Sequence, residues 1–141
     1  MRVMGLDVGE RRIGVAVSDP TATIATPLET LRRRAGKRPP FAALSELARA
    51  HEVEALVVGL PLSPAGDETD WCREVRALGD GLAERLGVPV HYVDERYTSV
   101  QAERAVRGSG LPRHKREDKA RVDRAAAVLI LQSWLDRREG A

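Results

Sequence analysis

The sequence has one cysteine, three histidines and five aromatic residues among its 141 positions. A lone Cys72 cannot close an internal disulfide or supply a multi-cysteine zinc site. His51, His91 and His114 are too scattered for a His-rich metal site. The five aromatics (Phe41, Trp71, Tyr92, Tyr97 and Trp134) argue against binding nucleic acid by stacking bases on an aromatic platform. No apolar run approaches the roughly 20 residues of a membrane span, and the first residues read as a strand rather than a signal peptide. A soluble, cytoplasmic protein is the expectation. What is present is ordinary for one compact domain, expected over residues 1–138 with a short tail at 139–141. An apolar fraction of 43% excludes global disorder, and the length can bury a core without staples.

The net charge of +2 conceals an asymmetry. Residues 32–38 hold Arg32, Arg33, Arg34, Lys37 and Arg38 with no acid among them. Residues 107–121 carry a net charge of +4, with Arg113, Lys115, Arg116 and Lys119 among the cations. The rest of the chain is at −7. An acidic body with two basic segments suits a polyanionic partner held by its phosphates, although either segment alone is equally consistent with a solvated loop.

Along the chain, residues 2–8 and 13–19 read as strands joined at Gly9, with a third strand over 24–31. Pro40 is placed to open a helix running to about residue 51. Residues 55–59 form an apolar run suited to a strand buried on both faces. A helix over 69–86 ends at Gly87, a strand follows at 88–93, and Thr98 with Gln101 reads as a capping box opening a helix to about Gly108. A last helix is predicted over 121–137. This order predicts an α/β fold: a three-stranded antiparallel meander extended by two parallel strands, with helices on both faces.

Three acids occupy distinctive places. Asp7 interrupts the first strand on the face of Val3 and Gly5, where a buried carboxylate is costly unless paired, hydrogen-bonded or metal-bound. The plain alternative is a turn residue two positions before Gly9. Asp94 and Glu95 end a parallel strand, where ligands of open α/β sheets gather, or one of them caps the next helix. Asp123 opens the last helix beside Ala125, Ala126 and Ala127, small residues that let a helix approach a sheet closely. Taken alone, Asp123 reads best as an acid favoured by the helix dipole. Converging in one cleft, the acids would need a divalent cation, and Mg²⁺ or Mn²⁺ takes oxygen ligands of this kind.

Four blocks resemble one family: Gly5-Leu6-Asp7-Val8-Gly9 with 12–19, Val57-Val58-Gly59-Leu60-Pro61-Leu62 with Gly66, Asp94-Glu95-Arg96-Tyr97-Thr98-Ser99, and Lys119 with 122–132. The chain resembles the YqgF family, also called RuvX, along nearly its whole length. That resemblance implies a ribonuclease-H-like fold, with Asp7, Glu95 and Asp123 as metal-binding catalytic acids. Neighbouring strand residues face opposite ways, so Asp94 and Glu95 are not expected to contribute equally; following the resemblance, Glu95 is the expected ligand and Asp94 the support for the loop or for Arg96. Where many relatives carry Thr-Lys after the glycine, this chain has Glu10-Arg11.

The resemblance further implies a divalent-metal-dependent nuclease processing the 5′ end of pre-16S rRNA, free or within the ribosomal precursor particle. Lys119 is the candidate phosphate contact, or else a solvated lysine. A second reading, resolution of Holliday junctions in DNA, requires a homodimer with two active sites. Residues 5–9 also look like the phosphate loop of actin-like ATPases, but those clamp nucleotide between two related domains, and this length supplies one. A non-catalytic nucleic-acid or ribosome-binding module is a further alternative, and a decayed site of that kind need not retain all three acids.

Overall fold

The computed structural model describes residues 1–33, 38–97 and 116–139, with side chains at 1–33, 38–96 and 125–138. Strands β1 (Arg2–Val8), β2 (Arg12–Ser18) and β3 (Ala25–Arg32) form the expected antiparallel meander. Helix α1 (Phe41–Ala50) leads to β4 (Val53–Leu60), which lies parallel to β1. Helix α2 (Asp70–Leu86) leads to β5 (Val90–Asp94), parallel to β4. A single 3₁₀ turn (Glu95–Tyr97) follows, and helix α3 (Arg116–Glu139) closes the described chain. The sheet order is β3-β2-β1-β4-β5.

Alternation along the strands divides the core into two layers. Met4, Leu6 and Val8 of β1 share one face with Ile13, Val15, Leu56, Val58 and Leu60, and α1 and α2 cover it with Leu44, Val75, Leu78 and Leu82. On the opposite face Val3, Ala16, Ala55, Val57 and Val93 pack against Ala126, Ala127, Ile130, Leu131 and Leu135 of α3. Strands β1 and β4 are buried on both faces, which is why their sequences are nearly unbroken apolar runs.

The element ends are set by local chemistry. Thr69 caps α2 by accepting a hydrogen bond from the Cys72 amide at 3.3 Å. Gly87, at φ 68°, ends the helix in the left-handed region. There the Gly87 and Val88 amides donate to the carbonyls of Glu84 and Ala83. That wrapping consumes Val88, so β5 starts at Val90 rather than at 88. Pro40 takes the non-helical capping position just before α1 rather than its first helical one. Ile24 stays outside β3 because the Asp19 carboxylate accepts hydrogen bonds from the amides of Thr23 and Ile24, folding the turn and leaving Ile24 60% exposed. Helix α3 begins at Arg116, well before 121. Glu117 and Asp118 fall in its first turn, where acids suit the helix dipole. The capping box and helix expected over 98–108 lie outside the described residues.

The last helix approaches the sheet without an intervening side chain at Gly5. A Cβ there would stand 2.7 Å from Leu131 Cβ and 3.2 Å from the Ala127 carbonyl oxygen. Gly5→Ala is therefore expected to cost about 1–3 kcal/mol by overpacking. Urea unfolding should show this as a lower midpoint at an unchanged slope.

Candidate active site

Asp7 sits one residue from the end of β1, on the α3 face, and is only 3% exposed. The parallel register pairs Leu6 with Val58, and one step further brings Asp7 beside Gly59. Gly59 is paired in turn with Val93 of β5. Glu95, the first residue of the 3₁₀ turn, is also 3% exposed. Its carboxylate folds back over the sheet: a Cβ on Gly59 would lie 2.8 Å from Glu95 Oε1 and 2.5 Å from Ile130 Cδ1. Glu95 therefore occupies the space a side chain at position 59 would fill, one strand from Asp7, and strands are about 4.8 Å apart. Two carboxylates share one buried corner at the C-terminal ends of β1, β4 and β5.

Asp123 belongs to the described backbone of α3, but its side chain lies outside the described residues. The helix contacts fix where position 123 falls. Trp134 stacks 4.9 Å from His91, the partner of Val57, while Ile130 lies at Gly59, two residues further along β4. Moving toward the N-terminus of α3 therefore means moving toward the C-terminal ends of the parallel strands. One helical turn before Ala127 is position 123, a step of about 6 Å. Two residues beyond Gly5 is Asp7, a step of about 6.6 Å. Ala127 meets Gly5, so position 123 comes level with Asp7 along the strand direction, on the helical stripe of Ala127 and Ile130. Among the described residues no group of three His, Cys, Asp or Glu is close enough to hold a metal ion.

Asp94 takes a different role from Glu95. Its carboxylate accepts hydrogen bonds from Arg96 Nε (3.1 Å), Arg96 Nη2 (2.7 Å) and the Arg96 amide (2.9 Å). The Arg96 guanidinium holds the Asp94 carboxyl below the usual carboxylate range. Arg96 also reaches across to donate from Nη1 to the Pro64 carbonyl at 3.3 Å. Gly66, at φ +90°, makes room there, since a Cβ would come within 3.1 Å of that nitrogen. The pair closes the turn on either side of Glu95 and ties it to the loop at 61–69. Glu95 differs from Asp94 because it begins a 3₁₀ turn, and not by strand alternation. Gly59 and Gly66 were visible in the sequence as motif residues without a role. The signal for Gly59 is a glycine inside an apolar strand, which marks close approach by another group.

The basic residues divide. Arg32 ends β3 and is exposed, as is Arg38. Arg33 turns to the α2 side, where Nη1 donates to the Gly9 carbonyl at 3.3 Å and the guanidinium lies 5.8 Å from the Trp71 ring centre. Its Nε is buried with no hydrogen-bond partner among the described residues. Arg34, Lys37, Arg113 and Lys115 lie outside the described residues. Arg116 and Lys119 fall on the first turns of α3, with their side chains outside the description.

Because Asp94 titrates lower in the folded state than unfolded, its charge stabilises the fold above the unfolded carboxyl value near about 4, and that contribution fades as pH falls below it. Asp94→Asn should accordingly lower the melting temperature at neutral pH. The gap from wild type should narrow as the pH is lowered through about 4, measured by thermal denaturation across a pH series.

The family model described as "RuvX: Holliday junction resolvase" matches residues 1–137. A protein of Moorella thermoacetica named "Putative pre-16S rRNA nuclease" is 46% identical over 137 residues, covering 97% of this chain and 96% of that one. A protein of the same name from Anaeromyxobacter dehalogenans (strain 2CP-C) is 44% identical over 138 residues, covering 98% of both. Among solved structures, RuvC of Thermus thermophilus in complex with Holliday junction substrate superposes with a TM-score of 0.58 at 19% identity, covering 99% of this chain and 97% of that one. At that identity the likeness speaks for the fold, a RuvC-like, ribonuclease-H-like mixed sheet. With the family model spanning nearly all of its length, and relatives at this identity over nearly all of theirs, the chain belongs to the RuvX family.

Proposed function

We propose that this chain is a divalent-metal-dependent phosphodiester hydrolase that processes the 5′ end of pre-16S rRNA. The observation that carries the reading is the pair of buried carboxylates, Asp7 and Glu95, on one sheet face at the strand ends. Burying two acids together costs several kcal/mol unless cationic charge or hydrogen bonds compensate them. All-oxygen donors suit a hard cation such as Mg²⁺ or Mn²⁺. The donor set fits such an ion, and Gly59 leaves the room in which Glu95 reaches Asp7's side of the sheet.

In this reading Asp7, Glu95 and Asp123 hold the metal. A divalent ion held there would supply Lewis-acid chemistry, activating a water and neutralising charge on the leaving oxygen. The chain's own residues set the geometry. Asp7 is fixed by a central strand, and Glu95 by the turn that Asp94 and Arg96 close. Ile130 and the Glu95 carboxylate both close over Gly59. Lys119 contacts a phosphate or stabilises charge beside the leaving group. The RNA substrate is supported by the names of the relatives. The description of the family model favours a second substrate, a four-way DNA junction; cutting it symmetrically would require a homodimer with two active sites.

The deciding assay compares wild type with Asp7→Asn on precursor rRNA, linear RNA and a four-way DNA junction, with Mg²⁺, Mn²⁺ or chelator. Wild type should cleave the precursor with either metal and stop with chelator. The variant should lose on the order of 100-fold or more, since metal stabilisation of the transition state is worth several kcal/mol. Equal cleavage by both proteins would refute the reading, and preference for the junction would favour the second substrate. A companion pair separates site from scaffold. Gly59→Ala should impair both stability and cleavage, because the new methyl meets Ile130 and Glu95 together. Adding Ile130→Val removes the Cδ1 clash, so unfolding midpoints should partly recover while cleavage remains impaired.

A further inference from the structure

The end of the sheet that carries Asp7 also carries two opposed arginines. On β2, Ile13 and Val15 face the α1 and α2 layer, and Ala16 faces α3. The alternation therefore places Arg12 on the α3 face, the face of Asp7. The antiparallel register sets Asp7 against Gly14, and Arg12 is two residues from Gly14, the diagonal position, at about 7–8 Å. Gly14 carries no side chain to separate them. Arg32 pairs directly with Arg12 across β2 and β3, so it shares that face. Its neighbour Leu31 packs with the α1 and α2 layer, which confirms the phase.

Like charges directly opposite each other on two strands are destabilising. Among the described residues neither Arg12 nor Arg32 is joined to an acid or engages in a side-chain hydrogen bond. Arg12 is half-buried, Arg32 is exposed, and Arg33 is turned away against Trp71. Among the described residues the fold therefore sets a cationic pair, with no ion pair to either member, one strand from a buried carboxylate. Guanidinium groups present a planar fork that matches phosphate oxygens.

We propose that Arg12 and Arg32 form a phosphate subsite that grips the phosphodiester backbone on the β2–β3 side of the acid corner. The substrate then runs across the C-terminal end of the sheet, with Arg12 and Arg32 on one flank and the Glu95 turn on the other. This rests on the hydrolytic reading of the acids for its purpose, but its test does not depend on turnover.

The test is binding by the full chain in chelator, followed by fluorescence anisotropy over a salt series, with a labelled single-stranded RNA and a labelled four-way DNA junction as probes. Arg12→Gln and Arg32→Gln should each weaken binding severalfold. Each should also reduce the log–log salt slope by roughly 1, and the double variant by roughly twice that. Arg49→Gln, an exposed change on α1 beneath the other face, should leave both unchanged. The melting temperature of each Arg variant should stay level or rise, because a like-charge opposition is relieved. A wild-type slope in the double variant on both probes overturns the subsite, and so does a fall in melting temperature with binding unchanged. A loss confined to the junction upholds the subsite and rejects RNA as the substrate. Binding through the pair without cleavage under any metal rejects the hydrolytic reading and leaves the subsite standing.

Discussion

The structure depends on how closely α3 can lie on the sheet. At Gly5 and Gly59 the helix and the neighbouring turn occupy volume that any side chain would claim, with Leu131 and the Ala127 carbonyl over one glycine and Ile130 and Glu95 over the other. Packed interiors have little slack, so such contacts are either made by missing atoms or not made at all. Ala126 and Ala127 provide the helix half of the same arrangement. The closeness sets the height of α3 above β1 and β4, and so how far its N-terminal turns stand from Asp7.

From that contact the distribution of charge follows. One sheet face carries an apolar cluster that α1 and α2 cover. On the other an apolar cluster packs against α3, and acids are buried where β1, β4 and β5 end. There the buried Asp7 and Glu95 form a small polar corner bordered by hydrocarbon, in which an ionic interaction is felt more strongly than in bulk water. The flanking cations are sorted by strand phase: Arg32 to the acid face, Arg33 to the Trp71 face. Three successive residues of β3 and its continuation thus serve a core, a surface and a loop contact in turn.

Much of this was legible in the amino-acid order. Unbroken apolar runs marked β1 and β4 because both faces of those strands are covered, and Gly87 marked the end of α2 because only a left-handed cap fits there. Asp7 stood out as a charge inside such a run. The separation of Asp94 from Glu95 was anticipated for a reason that applies to strands, whereas the chain has already turned into a 3₁₀ helix at Glu95. Arg12 was hidden because its neighbourhood arises from cross-strand register, which no local spacing records. The early start of α3 was obscured because a dense run of cations reads as a loop, although its residues are adequate helix formers.

The contact between Arg96 and the Pro64 carbonyl bears on how this molecule tolerates change in length. Exposed connections usually accept added or deleted residues because few of their atoms answer to anything else. The connection from β4 to α2 is open to solvent at Pro64, Ala65 and Asp67, yet it is moored at Gly66 and Pro64 to the guanidinium that closes the turn at Glu95. An insertion between Pro61 and Gly66 would move the Pro64 carbonyl relative to that guanidinium, so an outer bend 32 positions away in the chain answers to the corner it braces.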